Sequence, residues 1–421
     1  MATSVLLTSL LATLAAAQSL GTTPEVHPKL TTWKCTNKDG CKENKSAIVL
    51  DSMAHWIHQK NDTTLGCGNW GSTADPKACS NEQACYNNCV MEGVNNYADQ
   101  GVSTTGGSLS MTLYGKNGVA SPRLYLLAEG EKKYELFKLV GQEFTFDVDV
   151  SKLPCGMNGA LYMSEMEEKG GEGKLNPGGA AYGTGYCDAQ CYVTPWVNGL
   201  GNIKGEGICC NELDIWEANA RATQLAPHTC SKPGLYRCVG DECTKTGVCD
   251  KNGCGNNPYG NGEKTYYGLG KDFKVDTSKP FTVVTQFPKN EAGELTSIVR
   301  KYVQGGKVFE NAAVNVTGAF DDAYCTKQNA ATFMNLGAMK GMGQSLDRGM
   351  VLAFSIWWDE GGFMNWLDSG NAGPCNATEG DPKVVTKVEP APAVVFSAIK
   401  WGEIGSTFMA AKKHVHWGRD E

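Results

Sequence analysis

The stretch "EFTFDVDV", residues 143–150, alternates strictly between apolar and polar side chains. Successive side chains of a β-strand point to opposite faces, so Phe144 and Phe146 would face a core and Thr145 and Asp147 the other side. Other stretches have the same character, at 107–115, 123–127, 159–166, 281–287, 296–304 and 350–359. We predict short helices at 81–91, 218–225 and 329–340. This pattern predicts an all-β, two-sheet sandwich, which can leave a concave face open as a groove.

The first seventeen residues are typical of a secretory signal peptide. The run "SVLLTSLLATLAAA" at 4–17 is apolar or small throughout and too short to span a membrane, although no Lys or Arg precedes it. We expect cleavage before Gln18 and export to the extracellular space. No Pro/Ser/Thr-rich linker divides the rest of the chain, so residues 18–421 are predicted to form one domain.

The cysteines also indicate an exported protein. There are 18 of them, an even number that would form nine disulfides in an oxidising compartment. A structural zinc site is the competing interpretation, but paired C-x-x-C spacings are absent from the sequence and histidines are rare. We therefore expect no metal. Glycosylation sequons that fit the secretory route occur at Asn44, Asn61, Asn315 and Asn376.

The charge and the aromatic content narrow the class of partner. A net charge of −7 argues against nucleic acids and anionic membranes as partners. The chain has 51 glycines, 10 tryptophans and 15 tyrosines. Such a composition offers long turns between strands and flat rings for a ligand with apolar faces, such as a sugar polymer.

The segment "NELDIWEAN", residues 211–219, carries three carboxylates in an otherwise apolar setting. On a regular strand Glu212 and Asp214 would share a face, whereas Glu217 would point the other way. One β-bulge between Asp214 and Glu217 adds a residue to the count and turns Glu217 onto the face of the other two. A solvated acidic strand face is the competing interpretation of so short a motif.

Three crowded acids suit the hydrolysis of a glycosidic bond. One carboxylate must be ionised to attack the anomeric carbon, and another must hold a proton for the leaving oxygen. Like charges at close range raise the pKa of at least one acid. In retaining glycosidases the two reacting carboxyl groups lie about 5–5.5 Å apart. The chemistry therefore predicts Glu212 and Glu217 as the reacting pair, with Asp214 holding the nucleophile.

Several separated motifs resemble glycoside hydrolase family 7, the secreted fungal cellulases. These motifs are "EVHPKLTTWKC", "MNGALYMSEM", "GYCDAQC", "NELDIWEAN", "APHTC" and "GEIGST", and they run from about Gln18 to about Thr407. The resemblance implies a β-jelly-roll sandwich of two antiparallel sheets with a long substrate groove. It also implies retaining hydrolysis of β-1,4-glucan without a cofactor. We expect a secreted, monomeric, single catalytic domain.

The resemblance assigns roles to particular residues of this chain. It implies that Glu212 is the nucleophile, Glu217 the acid/base and Asp214 the support of the nucleophile. It places a histidine, His228, near the acid/base. The residues implied to contact sugar are Trp357, Trp366, Tyr162, Asn158, Arg123, Asp188, Gln190 and, as a weaker match at the far end, Trp56.

The same resemblance implies a complete disulfide pattern. The expected pairs are Cys35–Cys41, Cys67–Cys89, Cys79–Cys85, Cys155–Cys375, Cys187–Cys210, Cys191–Cys209, Cys230–Cys249, Cys238–Cys243 and Cys254–Cys325. All 18 cysteines are used. Spacing alone leaves the connectivity undetermined.

Loop lengths favour an endoglucanase over a cellobiohydrolase of the same family. Between Cys243 and Cys249 the chain has only "TKTGV", where tunnel-forming members carry a longer loop over the substrate, and Ala189 stands where cellobiohydrolases tend to have Ser. We also expect no carbohydrate-binding module. A cellobiohydrolase and a non-catalytic sugar-binding lectin remain the alternatives. The preferred glucan stays open among cellulose, mixed-linkage glucan, xyloglucan and xylan.

Overall fold

The computed structural model describes residues 19–69, 71–310 and 319–408. The predicted signal peptide at 1–17, its cleavage site before Gln18 and the sequon at Asn315 lie outside these ranges. Among the described residues, helices are too short or too polar to cross a lipid bilayer.

The chain is built mainly from β-strands. The strands of the first half are β1 (Ser19–Leu20), β2 (Lys29–Thr36), β3 (Gly40–Leu50), β4 (Ile57–Gln59), β5 (Asp62–Gly66), β6 (Cys89–Met91), β7 (Val102–Thr105), β8 (Ser108–Thr112), β9 (Tyr114–Gly115), β10 (Gly118–Val119), β11 (Arg123–Leu127), β12 (Leu136–Phe137), β13 (Gln142–Lys152) and β14 (Met157–Ser164). Those of the second half are β15 (Trp196–Val197), β16 (Leu200–Gly201), β17 (Gly207–Cys209), β18 (Glu212–Ala218), β19 (Thr223–His228), β20 (Tyr236–Cys238), β21 (Tyr267–Gly268), β22 (Val275–Asp276), β23 (Phe281–Gln286), β24 (Val299–Gln304), β25 (Lys307–Phe309), β26 (Met350–Trp358) and β27 (Ala393–Glu403).

Helices are short and lie in the connections. The α-helices are α1 (Glu82–Asn88), α2 (Asp322–Lys327), α3 (Ala331–Asn335), α4 (Ala338–Arg348), α5 (Asn365–Asp368) and α6 (Pro382–Val388). Single 3₁₀ turns occur at Ser52–Ala54, Tyr97–Gln100, Gly179–Tyr182 and Gly240–Cys243.

Two sheets form a jelly-roll sandwich and share one strand. The first sheet runs β19-β18-β14-β26-β11, and the second runs β2-β27-β13-β23-β24-β25 with the β7–β8 hairpin beside β27. Strand β3 joins them, because residues 40–47 pair with β2 and residues 47–50 pair with β11. The β2–β27 pair is parallel, which is an exception to the expected antiparallel arrangement.

Aromatic side chains fill the space between the sheets. Phe146 of β13 contacts Trp216 of β18, with ring centroids 6.1 Å apart. Phe354 of β26 packs on Phe396 of β27 at 5.6 Å, and Phe396 in turn contacts Phe146 at 6.0 Å. The predicted inward direction of Phe144 and Phe146 is confirmed, since both are fully buried. This core leaves the opposite face of β14, β18 and β26 free to line a groove.

One of the predicted helices is wrong. Residues 218–225 contain the end of β18, a turn at 219–222 and the start of β19. The turn forms because the Asn219 side-chain oxygen accepts the backbone N–H groups of Arg221 and Ala222. A side chain that closes a turn on its own backbone competes with helix formation. Helix α1 lies within the predicted 81–91, and 329–340 contains α3 and the start of α4, which are separated at Gly337.

All nine expected disulfides are present, and the described residues contain no free cysteine. Cys187–Cys210 and Cys191–Cys209 attach the loop at 188–191 to the segment that leads into β18. This attachment holds one wall of the groove against the strand that carries the three acids.

Candidate active site

A groove of about 870 Å³ lies on the outer face of the first sheet. Its walls come from the strands of that sheet and from the loops at 186–192 and 251–252. The predicted site residues that line it are Arg123, Tyr162, Asp188, Gln190, Glu212, Asp214, Glu217, His228, Trp357 and Trp366. The groove therefore collects acids, hydrogen-bonding groups and two tryptophans along one surface.

The predicted bulge is present in β18. Asp214 pairs with Ala226 and Glu217 pairs with Gln224, so three steps on β18 match two on β19. The extra residue allows Ile215 and Trp216, which follow each other, both to be buried in the core between the sheets. Glu217 then returns to the groove side, where Glu212 and Asp214 already lie.

Glu212 is held by a backbone donor from the facing loop. Its Oε2 accepts the N–H of Ala189 at 3.0 Å, and the residue is 7% exposed. Burial raises the pKa of Glu212 well above its usual range, and the charges of Asp214 and Asp188 add to this effect. The Ala189 N–H and the nearby His228 oppose it, because both stabilise the charged carboxylate.

Asp214 forms an ion pair with His228. The His228 Nε2 lies 3.0 Å from Asp214 Oδ2, and Nδ1 lies 2.9 Å from the carbonyl oxygen of Asp250. Both partners accept hydrogen bonds, so a doubly protonated imidazolium satisfies them. Burial disfavours that charge, but the hydrogen bond and the charge of Asp214 outweigh burial and raise the pKa of His228 to about 10.

Gly253 gives His228 the space that it needs. Its φ of +70° favours glycine, and a β-carbon there would lie 2.7 Å from the imidazole Cε1. The backbone at 250–253 therefore packs directly on the imidazole, which fixes the direction of its two N–H groups.

Glu217 is positioned to keep a proton. Asn158 Nδ2 donates to Glu217 Oε1 at 2.9 Å, and Asn158 Oδ1 accepts the N–H of Ala218 at 3.2 Å. Burial and the negative charge of Asp214 raise the pKa of Glu217 to about 8, against the opposing effects of Asn158 and His228. The site therefore contains a carboxyl group that is protonated at neutral and acidic pH.

Two tryptophans lie next to each other on the groove. Trp357 and Trp366 have ring centroids 6.3 Å apart and planes inclined by 28°. Trp358 instead packs against the core between the sheets and meets Tyr114 edge-on. The predicted alternation of Trp357 to the groove and Trp358 to the core is confirmed.

The remaining polar site residues are fixed by partners in the groove wall. Arg123 donates to Asp51 Oδ2 at 3.1 Å and lies 3.5 Å from the ring centre of Tyr186. The hydroxyl groups of Tyr162 and Tyr186 lie 3.2 Å apart. These contacts fix the planes of the side chains before any ligand arrives.

A reciprocal pair of hydrogen bonds ties two loops of the wall together. Gln190 Nε2 donates to the carbonyl oxygen of Lys251 at 2.9 Å, and Lys251 Nζ donates to the carbonyl oxygen of Gln190. Asp188 Oδ1 accepts the N–H groups of Gln190 and Cys191, and burial raises the pKa of Asp188.

Trp56 is not brought into the groove lining. It lies two residues beyond Ala54, which lines that end of the groove, and it is 51% exposed. Its indole N–H donates to the Thr63 carbonyl at 3.0 Å, and its ring stacks on His58 at 6.2 Å. Trp56 thus belongs to the β4–β5 hairpin outside the first sheet.

Some groups of the site were not predicted from the sequence. The Ala189 N–H and the Asp250 carbonyl act through the backbone, which side-chain patterns do not reveal. Lys251, Tyr192 and Asp359 also line the groove. Asp359 is the last residue of the strand predicted at 350–359 and directly follows β26, so it could have been found from that position.

Two clusters among the described residues have metal-like spacing, namely Cys191, Cys209 and Cys249, and Cys155, Asp368 and Cys375. Every cysteine in them is part of a disulfide, so its sulfur is not available as a thiolate ligand.

Comparison with known proteins matches residues 20–408 to "Glycosyl hydrolase family 7". The endoglucanase EG-1 of Humicola insolens is 54% identical over 97% of this chain and 95% of its own length. The native structure of the Humicola insolens endocellulase EGI superposes with a TM-score of 0.91 at 54% identity, covering 93% of this chain and 100% of that one. A cellobiohydrolase of the family from Daphnia pulex superposes with a TM-score of 0.85 at 35% identity, over 93% of this chain and 100% of that one. The chain therefore belongs to glycosyl hydrolase family 7 and is a glycoside hydrolase.

Proposed function

We propose that the chain is a retaining endo-β-1,4-glucanase that cleaves internal bonds of cellulose and related β-glucans. The observation that carries this proposal is the bulge in β18, which turns three buried acids toward one groove. An acid that attacks and an acid that donates a proton are what double displacement at a sugar carbon needs.

In the first step, a Glu212 oxygen attacks the anomeric carbon and the bond from that carbon to the leaving oxygen breaks. Glu217 gives its proton to that oxygen, so the leaving sugar departs as a neutral alcohol. The raised pKa of Glu217 supports this role, since the carboxyl group is still protonated at neutral pH.

In the second step, Glu217 is ionised and takes a proton from water. The water oxygen bonds to the anomeric carbon, the ester to Glu212 breaks, and the product keeps the original β configuration. We propose that Asp214, paired with His228, holds the orientation of Glu212 through both steps. The carboxylates move the protons, so the mechanism requires neither a metal nor a cofactor.

We propose that the groove holds the glucan through stacking and hydrogen bonds. Trp357 and Trp366 offer ring faces of the kind that pack on the C–H face of a pyranose. Arg123, Tyr162, Asp188 and Gln190 line the groove and would contact sugar hydroxyls. Asn158, also implied by the family resemblance to contact sugar, is instead fully buried, and its amide is bonded to Glu217 and to the Ala218 N–H. Trp56 would meet a sugar only beyond the end of the groove near Ala54.

An open groove favours internal cleavage. Residues 244–248 between Cys243 and Cys249 are absent from the groove lining and fold back on residues 241–242 instead. The higher identity to the Humicola enzyme than to the Daphnia cellobiohydrolase points the same way. We further propose that the protein is a secreted monomer whose catalytic domain, residues 18–421, follows a removed signal peptide.

Viscometry on carboxymethylcellulose tests the endo mode. We expect viscosity to fall steeply for each reducing end formed, because internal cuts shorten chains fastest. Slow thinning with cellobiose as nearly the sole product would instead indicate a cellobiohydrolase. Mass spectrometry of products from a panel of glucans and xylan would identify the preferred polysaccharide.

Two glutamine variants test the assigned roles. Glu212→Gln should abolish turnover on every substrate. If the unmodified protein bound sugar without turnover, it would be a lectin instead. Glu217→Gln should keep kcat/KM on aryl glycosides with good leaving groups, since these need no proton. Equal losses on aryl and natural substrates would contradict the acid/base role of Glu217.

A further inference from the structure

The bulge leaves Ile215 without a register partner in either neighbouring strand. The β18–β19 register shifts between Asp214 and Glu217, and the β18–β14 register shifts between Leu213 and Trp216. Ile215 falls inside both gaps and is fully buried. A buried carbonyl without a hydrogen-bond donor would destabilise this geometry, so the bulge needs a donor from outside the first sheet.

Arg300 of β24 supplies that donor from the second sheet. Its Nη2 donates to the Ile215 carbonyl oxygen, 85 residues away in sequence. Alternation along β24 sends Arg300 and Tyr302 inward, and Arg300 is only 6% exposed. The guanidinium thus reaches across the sandwich to the back of the strand that carries the acids.

The surroundings of Arg300 are unusual for a buried cation. Its guanidinium carbon lies 5.9 Å from the ring centre of Tyr302, and its Nε has no hydrogen-bond partner among the described residues. Burial lowers the pKa of Arg300, although a guanidinium stays charged in proteins. A neutral apolar side chain would avoid this desolvation cost but would leave the Ile215 carbonyl without the Arg300 donor.

Glu212 and Glu217 depend on different supports. Glu212 lies before the bulge and accepts the Ala189 N–H. Glu217 lies directly after the bulge, two residues from Ile215, and its one donor among the described residues is the Asn158 side chain. Loss of the Arg300 contact would therefore disturb the direction of Glu217 more than that of Glu212.

We propose that Arg300 is a positioning residue that fixes the bulge through the Ile215 carbonyl and so aims Glu217 at the glycosidic oxygen. This inference rests on the proposed function, because it takes Glu217 as the proton donor. Arg300 itself does not touch the substrate, since it lies on the core side of β18.

The experiment compares two substrates that differ in their need for a proton. Arg300→Met should lower kcat/KM on cellotetraose about tenfold or more, a part of the roughly 10²–10⁴-fold that a general acid contributes. On 2,4-dinitrophenyl β-cellobioside, whose leaving group needs no proton, kcat/KM should stay within about twofold. Arg300→Lys, which keeps a cationic donor, should recover most of the activity on cellotetraose. If Arg300→Met does not fold, Arg300→Gln provides the same comparison.

Two controls separate the possible outcomes. Leu109→Ala, a truncation elsewhere in the same core, should lower the melting temperature without a difference between the substrates. Glu217→Gln, measured in parallel, must lose much more kcat/KM on cellotetraose than on 2,4-dinitrophenyl β-cellobioside. Equal losses on the two substrates in Glu217→Gln would overturn the proposed function itself. If Glu217→Gln does lose more on cellotetraose, then equal losses on both substrates in Arg300→Met or Arg300→Gln would overturn only the role of Arg300. An Arg300→Lys variant no more active than Arg300→Met would overturn it as well.

Discussion

Asp214 has two opposite effects on the charges of the site. Burial and the Asp214 carboxylate together raise the pKa of Glu217 to about 8, and Asp214 raises the pKa of His228 to about 10 against the effect of burial. We infer that the first effect keeps Glu217 protonated as the proposed donor, and that the second supplies a positive charge that lowers the pKa of Glu212. Asp214 therefore raises the pKa of both glutamates, and only Glu212 has a backbone donor, the Ala189 N–H, that lowers its pKa among the described residues.

The Asp214→Asn variant should shift the alkaline limb of the pH profile. Asp214 is the main charge that raises the pKa of Glu217, so its removal lets Glu217 lose its proton at lower pH. We expect the alkaline limb of kcat/KM, near pH 8 in the unmodified protein, to move down by about one pH unit. Asp147→Asn, on the second sheet, is the control and should leave the limb in place. An unchanged limb in Asp214→Asn would contradict this electrostatic assignment.

At the scale of elements, alternation was the part of the structure that the sequence could reveal. The alternation of side-chain direction along the sequence predicted the bulge in β18 and the opposite directions of Trp357 and Trp358 in β26. The helix predicted at 218–225 was wrong because one side chain, Asn219, closes a hairpin there. The Arg300 contact joins strands of different sheets, and local patterns contain no information about which strands will face each other.

The adjacent tryptophans of β26 make a matched pair of variants. Trp357→Ala should raise KM on soluble glucans about tenfold, or ~1.4 kcal/mol, because a groove ring face is lost. Trp358→Ala should instead destabilise the fold by about 2 kcal/mol, because it leaves a cavity beside Tyr114, with KM nearly unchanged. Thermal melting and steady-state kinetics on both variants check this, and interchanged effects would contradict the assigned faces.

At the scale of the whole molecule, disulfides and hydrogen bonds connect distant parts of the groove. Cys155–Cys375 joins the start of β14 to the loop after α5, the helix that carries Trp366. Beside it, Asp368 Oδ2 accepts the Gly156 N–H at 2.8 Å and the Asn219 amide at 2.7 Å. Helix α5, which carries Trp366, and the end of β18 are therefore held together by this disulfide and these hydrogen bonds.

Removal of two disulfides should have unequal costs. Cys155–Cys375 spans 220 residues and Cys238–Cys243 only 5, and closing a longer loop restricts the unfolded chain more. The double serine variants should lose about 5 and about 2 kcal/mol of stability respectively. Denaturant unfolding of each variant measures the difference. A larger loss of stability for the short loop would show that native contacts, and not the entropy of the unfolded chain, determine what each disulfide contributes.

We infer that the bulge in β18 makes Glu212 the nucleophile and Glu217 the proton donor for one sugar. The most direct test is to trap the intermediate with 2,4-dinitrophenyl 2-deoxy-2-fluoro-β-cellobioside and to map the labelled peptide by mass spectrometry. We predict a single ester on Glu212, formed in the unmodified protein and also in Glu217→Gln. An ester on Glu217 or on another carboxylate, or turnover without any trapped ester, would contradict the account.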